Sequence, residues 1–276
     1  MEGLPVRGPA ARELGLALPP ARMPLLRRRR PLKRWRWVGV FGPGLMLCAG
    51  DARVGPLPRR WWAIAEPDRP VVERTTLGSH GLVVDEGRVA FRGDDVRAEL
   101  EIGDGDAIEI ASPSAAGYIW TRKRAGVRAR GTVELDGRTM EIDARAFIDE
   151  SAGYHQRHTV WRWSAGVGRA ESGDAVAWNL VTGVHDDPCT SERTVWIDGR
   201  PREVGPVEFE DGLAGVRSRD GSELRFHAWS AREDHANLLV FRTDYRAPFG
   251  TFSGTLPGGV ALAEGYGVME EYDVYW

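Results

Sequence analysis

FSGTLPGGVALAEGYGVMEEYDVYW, residues 252–276, is the stretch whose reading decides the fold. Six glycines fall between Gly250 and Gly267, and the segment then enters an aromatic run bearing Glu270, Glu271 and Asp273. Glycine at this density among apolar residues signals tight turns or close backbone approach rather than disorder. Side chains alternate faces along a strand, so Tyr266, Val268, Glu270 and Tyr272 share one face, opposite Gly267, Met269 and Glu271.

The same grammar extends outward along the chain. Asp136-Gly137 sits between VEL and RTMEI, Asp198-Gly199 follows TVWI, and Asp220-Gly221 precedes SELRF. Glu86-Gly87 and Asp104-Gly105 repeat the pattern, and Phe41–Leu45 makes a further turn. Acidic-Gly pairs between alternating runs supply the positive φ that primed hairpin turns need. Helical periodicity is nearly absent; ARELGLAL (residues 11–18) and a short piece from Arg59 to Ile64 are the two candidates. The expected fold is all-β: two β-barrel halves packed together, each of about eight strands, with few short helices. Residues 35–152 form the first half and 153–276 the second, after an extended lead-in over 1–34 that six prolines keep from being helical.

Five blocks carry a family resemblance: the C-terminal stretch above, MPLLRRRRPLKRWRWVGVFGPGLMLCAGDARVGPLP from Met23, GYHQRHTVWRWSAGVG from Gly153, WNLVTGVHDDP from Trp178 and SERTVWIDGRPREVGPVEF from Ser191. Together they resemble the bacterial DUF2804 family, which has no settled reaction. More distantly, the chain resembles the lipocalin-type double barrels of carotenoid hydratase-like proteins, and that likeness implies the same two-barrel fold.

Composition bounds the function. A chain of 276 residues, 42% hydrophobic and 28% charged, has the make-up of an ordinary globular protein. A net charge of −3 argues against a general nucleic-acid binder. Arg27, Arg28, Arg29, Arg30, Lys33, Arg34 and Arg36 form a local basic block, which reads either as a solvated loop or as a contact for an anionic membrane or partner. Cys48 and Cys189 are far apart, which excludes a disulfide scaffold and a cysteine-rich zinc site. The N-terminus lacks an apolar stretch of signal-peptide length, and no run reaches spanning length. A cytoplasmic protein without an integral membrane segment is expected.

The chemistry concentrates in two strands. Along Tyr154–Trp163, alternation places Tyr154, His158 and Arg162 on one face, and His155, Trp161 and Trp163 on the other. The first face can line a polar pocket with His158 as acid or base near neutral pH, or it is a half-buried strand with satisfied polar groups. Eleven tryptophans suit either an aromatic ligand cavity or core filling; the cavity reading gains weight at Trp161 and Trp163. Glu270, between Tyr266 and Tyr272, is either a carboxyl whose burial raises its pKa or the ion-pair partner of Arg193 or Arg242. Asn179 and the Ser191-Glu192-Arg193 block lie in the stretches that carry the family resemblance, and are expected to complete a polar cluster with His158 and Glu270. His185-Asp186-Asp187 is a weak metal fragment, and no Walker loop, Rossmann fingerprint, GxSxG elbow or HExxH occurs.

The expected function is binding of an apolar or amphipathic small molecule in an aromatic-lined barrel pocket. The alternatives are a cofactor-independent hydratase, isomerase or cyclase using Glu270 and His158, and a membrane-surface or partner-binding module using the basic block. No cofactor or metal is called for.

Overall fold

A computed structural model describes residues 3–78, 81–114, 116–238 and 241–276. Strand accounts for 67% of it and helix for 3%. The helix consists of two 3₁₀ turns, Pro9–Leu14 and Asp211–Leu213. No described helix is long and apolar enough to cross a membrane. The short helix expected over Arg59–Ile64 is instead part of the strand Leu57–Ala65. There, pairing with Met46–Val54 puts Trp61 and Ala63 on one face and Trp62 and Ile64 on the other, and this alternation overrides the local propensity.

Two antiparallel sheets carry the fold. The first runs in the order Val72–Thr76, Leu57–Ala65, Met46–Val54, Lys33–Phe41, Arg138–Gly153, Gly117–Leu135, Val96–Ile102, Arg88–Arg92, Leu82–Val84. Ala107–Ser114 also pairs with Gly117–Leu135, and carries the short N-terminal strand Val6–Arg7 on its other edge. The second sheet runs Arg200–Glu203, Thr194–Ile197, Ala175–Thr182, His158–Ala170, Val260–Tyr275, Phe241–Leu256, Glu223–Leu238, Gly215–Ser218, Val207–Phe209. The chain changes sheets between Gly153 and His158.

Each sheet curls around its own core, giving two lipocalin-like halves. In the first, Trp62 stacks on Phe91 at 4.8 Å although their strands lie near opposite ends of the sheet order. Val38, Leu47, Ile64, Leu100 and Val133 fill the same interior. In the second, Trp178, Leu180, Val207, Phe252 and Met269 are buried together, with Trp178 edge-on to Phe252 at 4.9 Å. A third core joins the opposite faces of the two sheets. It contains Trp37, Phe41, Met46 and Phe147 from the first, and Trp163, Trp196, Phe249 and Val268 from the second. Strand alternation explains the arrangement: odd-numbered residues of Lys33–Phe41 face the other sheet, and Val38 and Val40 face inward.

The glycines of the C-terminal stretch have a packing reason. Gly250, Gly267 and Gly166 are in register on three adjacent strands. A Cβ on Gly166 would lie 2.1 Å from Cζ2 of Trp178, and one on Gly250 would lie 2.8 Å from the Phe226 ring. The glycine row leaves room for large rings to lie against the strands. Gly166→Ala is therefore expected to cost about 1–3 kcal/mol through overpacking, read as a lowered urea midpoint. Gly44→Ala, where nothing lies within 4 Å, should change stability by less than about 0.5 kcal/mol. Equal midpoints for the two variants would contradict this account.

Two of the acidic-Gly pairs adopt the primed turn in full: Asp136 and Gly137 have φ of 51° and 73°, and Asp198 and Gly199 have 48° and 76°. At Asp220-Gly221 only the glycine is left-handed, and at Glu86-Gly87 and Asp104-Gly105 neither residue is. Side chains take over in those two loops, with Asp85 and Asp104 carboxylates accepting from the amides of Gly87 and Gly105. A further left-handed pair, Arg28-Arg29, makes the turn between Leu26–Arg27 and Arg30–Pro31.

The basic block divides along its length. Arg27 lies over Tyr118 at 5.2 Å and Tyr154 at 5.9 Å, and Arg36 is paired with Glu150 at 2.6 Å. Lys33 is buried with its Nζ 3.9 Å from the Trp276 ring centroid; burial, then the charge of Arg30, lowers its pKa to about 6. Arg28, Arg29 and Arg34 remain exposed. The first two residues of the lead-in lie outside the described residues; the rest of it packs Leu18, Met23 and Leu32 against Tyr118, Trp120 and Tyr154.

Candidate functional site

The two sheets do not meet everywhere. Between them lies a cavity of about 130 Å³. Five indoles line it: Trp35, Trp37 and Trp61 from the first sheet, and Trp161 and Trp163 from the second. Tyr245, Tyr272, Val181 and Val184 add to the wall. Register builds it, since Trp161 pairs with Tyr272, Trp163 with Glu270, and Trp37 with Asp149 on neighbouring strands. Gly50, flanked by Trp37 and Trp61, has no side chain because a Cβ there would lie 2.3 Å from the Trp61 indole.

One set of polar groups in the wall is an ion cluster. Lys123 donates to Asp149 at 2.5 Å and lies 3.3 Å from Glu192. Burial opposes the lysine's charge, but the two carboxylates outweigh it and hold its pKa above the ordinary value. Trp35 Nε1 donates to the other Asp149 oxygen at 3.0 Å. Asn179 accepts from Trp163 Nε1 at 2.7 Å and donates to the Glu192 carbonyl at 2.9 Å. The cluster therefore fixes two of the cavity indoles.

Glu270 stands apart from that cluster. Its Oε1 accepts from Trp161 Nε1 at 2.6 Å, and Tyr245 also hydrogen-bonds to it. Burial is the dominant influence and raises its pKa to about 7, against the smaller opposing effect of these donors. His155 is fully enclosed; burial, then the charge of Lys33, lowers its pKa to about 3, so it is neutral at pH 7. Neither of its ring nitrogens reaches a hydrogen bond, and the same holds for His185 Nε2, Glu192 Oε2 and Trp61 Nε1. Buried polar atoms without partners are costly, and here several face one cavity.

The DUF2804 profile, a domain of unknown function, matches residues 73–276. The chain belongs to the DUF2804 family. No curated protein matches it in sequence. The fold of this DUF2804 protein is similar to that of an AttH-like protein from Nitrosomonas europaea, with 13% identity, a TM-score of 0.59, and 94% of this chain and 97% of that one covered. It is also similar to kievitone hydratase from Nectria haematococca, with 11% identity, a TM-score of 0.53, and coverage of 86% and 88%. At these identities the likenesses show a shared fold.

The structure sorts the residues singled out in the sequence. Trp161, Trp163, Glu270 and Tyr272 line the cavity, and Asn179 supports it from behind. Arg193 lies outside the wall and donates to the carbonyls of Asp186 and Asp187 at 3.0 and 2.8 Å, pinning the loop that carries His185. Neither it nor Arg242, which is 3.5 Å from Asp273, pairs with Glu270. Tyr154 is buried in the lead-in cluster and donates to the Pro24 carbonyl at 2.8 Å. Tyr266 packs on the inter-sheet core without reaching the cavity. Arg162 points to the other side of its strand, donating to the Phe209 carbonyl at 3.2 Å.

Two expectations need correction. His158 does not join Glu270: its ring stacks on Tyr275 at 4.1 Å and meets Asp273 at 2.9 Å, on the opposite face from Trp161 and Trp163. His155 occupies the cavity instead. The cavity is also not inside one barrel, because both barrel interiors are filled by side chains. In the His185-Asp186-Asp187 fragment, the carboxylates accept from loop amides of Gly183, Cys189 and Thr190. No group of three metal-ligating side chains occurs among the described residues.

Lys123, Asp149, His155, Tyr245 and the indoles of the first sheet are cavity residues that were not singled out, whereas Glu192 belongs to the expected Ser191-Glu192-Arg193 block. His155 alone had a signal, since alternation already set it on the face of Trp161 and Trp163.

Proposed function

We propose that this protein binds an apolar or amphipathic small molecule in the cavity between its sheets, and that Glu270 exchanges a proton with it. The observation that carries the reading is a carboxyl with a pKa of about 7 inside an indole-lined cavity. At neutral pH such a group is present in both forms, so it can donate a proton and take one back. His155, with a pKa near 3, is too weak a base to accept a proton at pH 7. It serves as a hydrogen-bond partner that orients the ligand.

One proton-exchanging carboxyl suits isomerisation of a carbon–carbon double bond, in which a proton is added at one carbon and removed from another. It suits hydration as well: Glu270 protonates one carbon, water adds to the other, and the proton lost from water restores the carboxyl. The fold likeness to kievitone hydratase supports testing hydration first. The basic block supports a membrane-surface role less well, because Arg27, Lys33 and Arg36 are engaged within the fold.

The test incubates the purified protein with an apolar extract of its own host in D₂O. We expect at least one extract component to gain deuterium or the mass of D₂O by mass spectrometry, and the change to vanish with Glu270→Gln. No change, or the same change with the variant, removes the enzymatic reading.

A further inference from the structure

A cavity of about 130 Å³ has room for roughly one aromatic ring, judged against an engineered apolar cavity of about 150 Å³ that binds benzene. It is not the end of the path. A second cleft of about 350 Å³, lined by Ile119, Val160, Gln156 and His158 among others, shares two wall residues with it, Val184 and His185. These two residues form the partition between cavity and cleft.

The partition has a fixed base and a lightly held tip. Arg193 binds the carbonyls of Asp186 and Asp187, Asp186 accepts from the Gly183 amide at 2.7 Å, and the Glu192 amide donates to the His185 carbonyl at 3.0 Å. His185 itself sits at a φ of 52°, in the left-handed region that costs a non-glycine residue energy. Its ring has one hydrogen bond, to Ser112 Oγ at 2.7 Å, while the buried Nε2 has none. Rotation of the ring breaks a single bond and leaves the pinned backbone in place.

Charge narrows the occupant. In the cavity wall Lys123 is already matched against Asp149 and Glu192. The cleft presents Asp186 and Asp187, and among the described residues no lysine or arginine lines it. Among the described wall residues, an anionic ligand would find no lysine or arginine free to pair with it in either compartment.

Resting on the functional reading above, we propose that the ligand is an elongated amphipathic molecule, without an anionic group, that spans both compartments. Its ring end lies among the indoles beside Glu270, its tail continues into the outer cleft, and the His185 ring is the gate between them. The wall of the cleft mixes apolar groups, Ile119 and Val160, with hydroxyl and amide groups, Ser112, Thr159 and Gln156, and so accepts a chain that carries a few neutral polar groups.

The test uses 4-ethylphenol, which fits the cavity alone, and 4-octylphenol, whose tail needs the cleft, with binding read from quenching of the cavity indoles. Val160 is 49% exposed, so Val160→Trp fills the cleft without burdening the fold. We expect 4-octylphenol to bind the parent at least 100-fold more tightly than 4-ethylphenol, and Val160→Trp to cut that advantage below 10-fold while leaving 4-ethylphenol affinity unchanged. His185→Ala should speed 4-ethylphenol association at least 10-fold in stopped flow. Equal affinities, an advantage that survives Val160→Trp, or an unchanged rate in His185→Ala overturns the inference and leaves the cavity reading standing. Failure of both probes to bind overturns the two together.

Discussion

Replacing Lys123 with methionine is expected to destabilise the protein by about 3–5 kcal/mol at pH 7.5, because it strands two buried carboxylates. Asp149 and Glu192 have side chains only 13% and 3% exposed, and Lys123 is the cation between them. At roughly 2–4 °C per kcal/mol for a chain of this size, the melting temperature should fall by about 10 °C. The deficit should depend on pH. Burial, then the charge of Asp149, already raises the Glu192 pKa against the opposing pull of Lys123, and removing the lysine raises it further. A carboxyl whose folded pKa is raised lowers stability as pH climbs above its unfolded value, so the variant should recover part of its loss on going from pH 7.5 to pH 5. A melting temperature within 2 °C of the parent at pH 7.5, measured by calorimetry, contradicts a charged cluster at this position.

Glu270→Gln is expected to have the opposite sign. The folded pKa is about 7 against 4.5 for the free group. Between these values the native state holds a proton that the unfolded chain has released. Stability contributed by the protonated form is therefore complete below about pH 4.5 and declines as pH rises through 7. The full decline is on the order of 3 kcal/mol, at about 1.4 kcal/mol for each unit of displacement. Glutamine keeps an acceptor for Trp161 and does not ionise. The variant should match the parent at pH 5 and exceed it by about 2–3 kcal/mol at pH 8, checked by urea denaturation at the two pH values. A variant less stable than the parent at pH 8 would mean that the carboxylate is held ionised by a cation such as Arg232, whose charge acts to lower the Glu270 pKa, and that Glu270 is structural. A native protein that keeps a residue costing stability at its working pH, as the proposed site would, fits the trade-off between activity and stability.

The local features of this fold were readable because they rest on short-range rules. Turn pairs at Asp136-Gly137 and Asp198-Gly199, alternation in the last strand, and the absence of helical period all act over a few residues. Alternation also placed Trp161 and Trp163 with His155, and Glu270 with Tyr272, on single faces, as found. What it lacked was which face looks where. A face with Tyr, His and Arg reads as a pocket lining, which favours His158. His158 does line the outer cleft, but the cavity that holds Glu270 lies on the indole face, and His158 meets Asp273 near the strand end.

The location of the cavity depends on distant pairing. Lys123 and Asp149 become neighbours through pairing of Gly117–Leu135 with Arg138–Gly153, across a hairpin with a register shift at Ala125/Val127. Along the sequence they are two charges among many, and Arg128–Asp143, farther along the same hairpin, is an exposed pair. Arg59–Ile64 shows the same limit: its helical look yields to a strand once a neighbour with open hydrogen-bonding groups lies beside it.

The most direct test of a protonatable carboxyl serving an inter-sheet ligand site is the titration of Glu270 itself. Protein labelled with ¹³C at the glutamate side-chain carboxyls should show one resonance, absent in Glu270→Gln, that titrates near pH 7 and shifts when 4-ethylphenol is added. A Glu270 resonance that titrates near the ordinary value of about 4.3, or that does not respond to the ligand, contradicts the account.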